Sequence, residues 1–191
     1  MMERSKTLVA VSAVRPRRGF VAFAFALQVG IVALVQPGSV RAQDGGCRLL
    51  DSESGPERQI LRCASGPTIE AEKAADVHVI DPGSQGKPTG AKIGAGAVLV
   101  DVPPGYPGGF QILAPRAIAS VRGTAWAVDV SPAQTSVFVL RGEVLVRQTG
   151  TSRAVALHKG EGVDVLGDGR PLHVSRWPAS RAAALLARFG R

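Results

Sequence analysis

Apolar residues in this chain gather in short runs punctuated by glycine and proline. The densest stretch, Gln111 to Arg147 (QILAPRAIASVRGTAWAVDVSPAQTSVFVLRGEVLVR), is rich in β-branched and aromatic residues, which suit a pleated, half-buried surface. Pro115 restricts Ala114 to extended backbone, and Gly123 interrupts the first run after Arg122. Ser131-Pro132-Ala133-Gln134 makes a turn before a second run, Thr135 to Leu140. Arg141-Gly142 leads into a third run, Glu143 to Arg147. There Glu143, Leu145 and Arg147 fall on one face and Val144 and Val146 on the other, the period of two of a half-buried strand.

The same punctuation predicts further strands on both sides. Ile93 to Val100 reads as a buried strand entered through glycines, and Val77 to Ile80 as a strand stopped by Asp81-Pro82-Gly83. Ile69 to Lys73 alternates poorly and is equally compatible with a helical turn. Pro103 to Gly109 is a Pro/Gly-rich loop carrying the lone tyrosine, Tyr106. Ala154 to Leu157, Gly162 to Leu166 and Leu172 to Val174 complete the series. The pattern changes at Pro178, after which Ala182, Leu185, Leu186 and Phe189 recur at helical spacing until Gly190. The expected architecture is all-β: a single domain of short antiparallel strands, as a β-sandwich, jelly roll or β-roll, with a short C-terminal amphipathic helix over 176–191. That helix is expected to dock on the strands or cover an edge, with Trp177 as its anchor.

Composition agrees: 23 glycines and 13 prolines favour many turns. The formal charge of +8 suggests nucleic acid until it is located. Residues 1–42 hold six of the 23 basic residues and one of the 15 acidic ones, so the remainder carries 17 against 14, a net of +3. No nucleic-acid partner is therefore expected. Residues 1–42 read as a signal peptide: a basic start through Arg17-Arg18, the apolar run Phe20 to Val35, then Gln36-Pro37-Gly38-Ser39 and cleavage between Ala42 and Gln43. The apolar run is shorter than the roughly 20 residues a span needs, so no stable membrane span is expected after cleavage. Arg17-Arg18 fits either general secretion or twin-arginine export. The expected location is periplasmic or secreted. In that oxidising space Cys47 and Cys63, the only cysteines, pair and staple an N-terminal excursion over 43–76.

Little reactive chemistry is visible. His78, His158 and His173 lie far apart without a carboxylate or cysteine at ligand spacing, so neither a metal nor another cofactor is expected. No G-x-S-x-G elbow is present, and Gly94-Ala95-Gly96 precedes its strand where a dinucleotide loop must follow one. The carboxylates of Glu143, Glu161, Asp164 and Asp168 sit beside glycine turns, where solvated acids are routine. The candidate binding residues are Arg122, Thr124 and Trp126. They share a face if the strand runs straight through Gly123, whereas a bulge there sends Trp126 to the core and leaves Arg122 to cap a neighbouring carbonyl or carboxylate. Tyr106 is a further candidate, either as a ligand contact or as cover for a strand edge.

The order Pro115, Ala119-Ser120-Val121-Arg122-Gly123-Thr124, Trp126, Val128, Thr135 to Leu140 and Gly142 resembles the signature of the FecR-type periplasmic domain. The likeness is best over 111–165, running on through Val155-Ala156-Leu157 and Gly160 to Val165, and extends over a domain at 77–175. In that family's regulators a cytoplasmic helical domain holds a sigma factor, a membrane helix follows, and the periplasmic part receives a signal from an outer-membrane transporter. Only nineteen residues precede the apolar run here, too few for a sigma-binding domain, so no direct sigma-factor binding is expected. The resemblance implies a non-catalytic binding or sensory module contacting an envelope protein or ligand. The alternatives are a degenerate cupin-type enzyme acting on a small envelope metabolite, or a purely structural envelope protein.

Overall fold

The computed structural model describes residues 47–63, 66–80 and 87–191. The expected signal peptide and its cleavage site between Ala42 and Gln43 lie outside the described residues. In chain order the strands are β1 (Cys47–Asp51), β2 (Arg58–Cys63), β3 (Thr68–Glu72), β4 (Asp76–Ile80), β5 (Gly90–Asp101), β6 (Phe110–Leu113), β7 (Ala117–Val121), β8 (Ala125–Val130), β9 (Gln134–Arg141), β10 (Glu143–Gln148), β11 (Ala154–His158), β12 (Glu161–Leu166) and β13 (Val174–Arg176). Helix α1 (Ala179–Ala187) follows.

The strands form two sheets that share β5. A long sheet runs β1-β2-β3-β5-β8-β9-β12-β13, and a short sheet runs β4-β5-β6-β7-β10-β11. Residues Gly90 to Lys92 of β5 pair with β6, and Gly96 to Asp101 pair with β8, so β5 passes from one sheet to the other around Gly94 to Gly96. The two inner faces enclose the main core. Trp126, Phe110, Ile93, Ile112, Val98 and Val128 are all fully buried there, and the Phe110 and Trp126 rings meet edge to face at 6.4 Å.

Three features differ from the sequence expectation. All strand pairings among the described residues are antiparallel except β5 with β6. The Pro/Gly loop 102–109 carries the chain back along β5 to lie beside its first residues, and that return makes the pairing parallel. Ile69 to Glu72 forms strand and not a helical turn, because β3 is held on both sides by β2 and β5. Its poor alternation has a cause: Ile69 and Ala71 enter the core, while Glu70 and Glu72 are drawn in by arginines on the other face. Gly123 lies between β7 and β8 with a φ of +76°, a corner and not a bulge within one strand.

Cys47 and Cys63 are disulfide-bonded and directly opposite in the β1–β2 register. Closing a loop of this size removes roughly 3 kcal/mol of denatured-state chain entropy. Through β2 and β3 the stapled hairpin is continuous with the long sheet.

Helix α1 lies on the outer face of the long sheet. Ala97, Leu99, Ala127 and Phe138 form the floor, and Trp177, Leu185 and Phe189 close over it. The Trp177 ring stacks on Phe138 at 5.0 Å. It also lies so close to β12 that a Cβ on Gly162 would stand 2.4 Å from the indole Nε1 and 2.8 Å from the Val137 carbonyl oxygen. At nine residues, and with Pro178 giving no side-chain cap, α1 is too short to persist alone and depends on this docking.

Arginines tie the rim. Arg188 donates to Glu72 and reaches Asp129 at 2.9 Å, Arg181 donates to Asp164 at 2.6 Å, and Arg191 donates to Glu70. Arg181 also lies 3.6 Å from the centre of the Trp177 ring. The hydrogen bond from Arg188 holds the Glu72 carboxyl below its ordinary value of 4.5. Burial pushes the Asp164 carboxyl up, but hydrogen bonds from Arg181 and Ser136 outweigh it and leave it below its ordinary 3.8.

Two outcomes follow. Gly162→Ala is expected to lower stability by roughly 1–3 kcal/mol in urea denaturation, since the indole must move to admit a methyl group. Both carboxyls bind a proton more weakly in the folded chain than in the unfolded one. Their stabilising contribution is therefore complete above their ordinary values and is lost as pH falls through the lowered folded ones. In a Trp126→Phe variant, Trp177 emission is expected to shift to the red below about pH 4, ahead of the loss of the strand signal in circular dichroism.

Candidate functional site

The chain crosses from the short sheet to the long one at Arg122-Gly123-Thr124, between β7 and β8. A positive φ favours glycine, and a Cβ on Gly123 would stand 2.8 Å from Pro104 Cα, so this corner admits little else. The Thr124 carbonyl accepts from the Val102 amide at 2.8 Å and ties the corner to the end of β5.

Outside the corner lies a cleft of about 500 Å³. Its walls come from three neighbouring strands of the short sheet: Gln111 on β6, Ser120 on β7, and Glu143 and Leu145 on β10, with Arg122 and Thr124 at the head. Strand register explains the grouping, because Gln111 pairs with Ser120 and Ser120 with Leu145. All three face outward, while Phe110, Ala119 and Val144 between them face the core. Glycines 108, 109 and 142 leave the head of the cleft open.

The four candidate binding residues separate here. Arg122 is exposed and makes no hydrogen bond or ion pair within the described residues, so it caps nothing. Thr124 lines the cleft, but it is only 2% exposed and its Oγ1 has no hydrogen-bond partner. Trp126 is fully buried with its Nε1 unpartnered, since the corner turns β8 so that the indole enters the core. Tyr106 is also buried, its hydroxyl donating to the Pro88 carbonyl at 2.8 Å, and burial pushes the phenol pKa up. Trp126 and Tyr106 therefore offer no contact surface. A straight binding strip through Gly123 does not form.

Gln111, Ser120, Glu143 and Leu145 were not among the binding residues expected from the sequence. The available signal was Leu145, a large apolar residue on the polar face of an alternating strand, and it is 43% exposed. The cleft holds one arginine, one carboxylate, two hydroxyls and an amide. The Glu143 carboxylate lies 3.6 Å from His158 Nδ1, with both side chains exposed. His78 stands beside Asp76 at the opposite side of the short sheet, and His173 precedes β13. Among the described residues no three His, Cys, Asp or Glu side chains converge as a metal-ligand set, so the donors a cupin site requires are not assembled there.

Replacing Gly123 by alanine is expected to cost roughly 1–3 kcal/mol, from a strained φ together with overlap on Pro104. Gly105, with a φ of +76° and no atom within 4 Å of its would-be Cβ, supplies the control. Gly105→Ala bears the backbone strain alone and should cost less in the same urea titration.

Comparison with known proteins places this corner in a family. The model described as FecR protein matches residues 53–145. Two crystal structures of candidate anti-sigma factors from Parabacteroides distasonis ATCC 8503 share the fold. One has a TM-score of 0.54 at 15% identity, covering 73% of this chain and 64% of its own. The other has a TM-score of 0.50 at 15% identity, covering 75% and 61%. The chain thus spans somewhat under two thirds of the length of either. No curated protein matches it. The matched segment begins in the turn after β1, takes in the shared strand β5 and the whole Gly123 corner, and ends in β10: over residues 53–145 the chain is a FecR-type domain.

Proposed function

We propose that this protein is an exported, non-catalytic sensory or binding module whose FecR-type domain contacts a protein partner in the cell envelope. The observation that carries the reading is the match over 53–145, whose C-terminal part takes in the strands and corner that build the open cleft. Three physical features support it. The cleft is wide and mixed in character, as a contact surface is, with no nucleophile held against a base. The disulfide suits an oxidising compartment. No helix among the described residues is long and apolar enough to cross a membrane. Export, residence in the periplasm and cleavage between Ala42 and Gln43 belong to the same proposal.

Crosslinking in intact cells, followed by capture of the full chain and mass spectrometry, tests it. The expected product is a discrete adduct with one envelope protein, formed by a chain that starts at Gln43. Stoichiometric zinc, iron or manganese in the purified protein would turn the reading to an enzyme. A chain that yields no adduct would favour a structural envelope protein.

A further inference from the structure

The two outer faces of the sandwich are built alike and finished differently. On the long sheet an apolar floor is ringed by carboxylates, Glu70, Glu72, Asp129 and Asp164, and α1 covers it with arginines. On the short sheet the outward residues form two cross-strand rows. One runs Ala156, Leu145, Ser120, Gln111; the other runs Ala154, Arg147, Ile118, Leu113, Lys92, His78. Leu145 is exposed, and Ile118 and Leu113 are half-buried, so the middle of this face is an apolar floor open to solvent.

Its rim is cationic. Arg147 and Lys92 close the two ends of the Ile118–Leu113 row, and Arg122 stands at the head, all exposed and none paired within the described residues. The acids on this face, Glu143 and Asp76, lie at opposite corners, each beside a histidine at 3.6 Å and 3.0 Å. The short sheet thus repeats the design of the long one with the sign of the nearest charges reversed.

We infer that the outer face of the short sheet is the docking site for an acidic amphipathic helix of a partner protein. This rests on the proposed role as a protein-binding module and names the surface and the chemistry of the partner. The helix lays its apolar stripe on Leu145, Ile118 and Leu113 and sets carboxylates against Arg147, Lys92 and Arg122. A second copy does not fit. Apposing two such faces brings arginine to arginine, and α1 from another chain carries Arg181, Arg188 and Arg191 toward the same cations. An anionic lipid surface shares the charge. The floor, however, is recessed at Ile118 and Leu113, which are half-buried, and leaves Leu145 as its one large exposed apolar side chain, too little to anchor a bilayer.

The test uses the full mature chain and two labelled model helices of about 18 residues, long enough to be helical on a surface. They carry the same leucine stripe, flanked by glutamate in one and lysine in the other. Fluorescence anisotropy is expected to show binding of the glutamate helix, weakening with salt. Arg147→Glu and Lys92→Glu together should weaken it by roughly tenfold or more and let the lysine helix bind instead. Trp177 emission and circular dichroism check that the variant is folded. Amide shifts on binding should map to β6, β7 and β10. Equal binding of both helices, binding of neither, or shifts confined to α1 and the long sheet would overturn the inference. So would phosphatidylglycerol vesicles that bind the chain with the same dependence on Arg147 and Lys92. If the envelope adduct survives in the double variant, the module reading stands and only the assignment of this face fails.

Discussion

One strand lies at the centre of this fold. The twelve residues of β5 pair with β3, β4, β6 and β8, so both sheets hang from a single continuous backbone. Its second half is buried on both sides: Val98 and Val100 face the inter-sheet core, while Ala97 and Leu99 face α1. A strand buried on two faces reads as a continuous apolar run, which is how AVLV appears in the sequence. The helix is a consequence of that burial. Without α1, Leu99, Phe138 and Trp177 would lie in water, and a strand built for two cores would have one.

The helix does not hold itself. Its nine residues lack a side-chain cap, and its attachment combines an apolar centre with a ring of arginine–carboxylate pairs. Exposed ion pairs contribute little, but several of these carboxylates are largely withdrawn from water. The Glu70 side chain is 10% exposed and is shared between Arg58 and Arg191. Glu72 receives two bonds from Arg188 and donates none, which suits the planar guanidinium fork. Burying such an acid without its arginine would leave an uncompensated charge, so sheet and helix are each unfavourable without the other.

What the sequence disclosed depends on how local each determinant is. The alternation in Glu143 to Arg147 appears unchanged in β10, because a half-buried strand needs only its own side chains to declare its faces. The terminal helix and its Trp177 anchor were equally legible, from spacing and from Pro178 and Gly190. The family signature was readable because it includes the Gly123 corner, where steric demand fixes the residue. Features set by distant residues were not. Ile69 to Glu72 looked indifferent because its glutamates answer arginines 116 and 121 positions away. The parallel pairing of β6 depends on where a Pro/Gly loop returns, and Trp126 and Tyr106 stayed open between contact and burial because nothing local shows that a corner and a buried carbonyl claim them.

The distribution of ionisable groups among the described residues bears on the proposed contact role. Acids and bases that exchange protons near neutrality need pKa values shifted toward it, in a site that excludes water. Here the two perturbed carboxyls, Glu72 and Asp164, are shifted away from neutrality and engaged with Arg188 and Arg181. Among the described residues the buried polar side-chain atoms left unpartnered, at Thr124, Trp126, Thr135, Gln148 and Trp177, are two hydroxyls, two indole nitrogens and an amide oxygen, none of them an acid or base. The histidines at 78 and 158 stand in solvent. Among the described residues these groups are thus either fixed in the scaffold or dispersed over its surface. What the open face of the short sheet presents is shape and charge, the two properties on which the proposed contact with a partner helix relies.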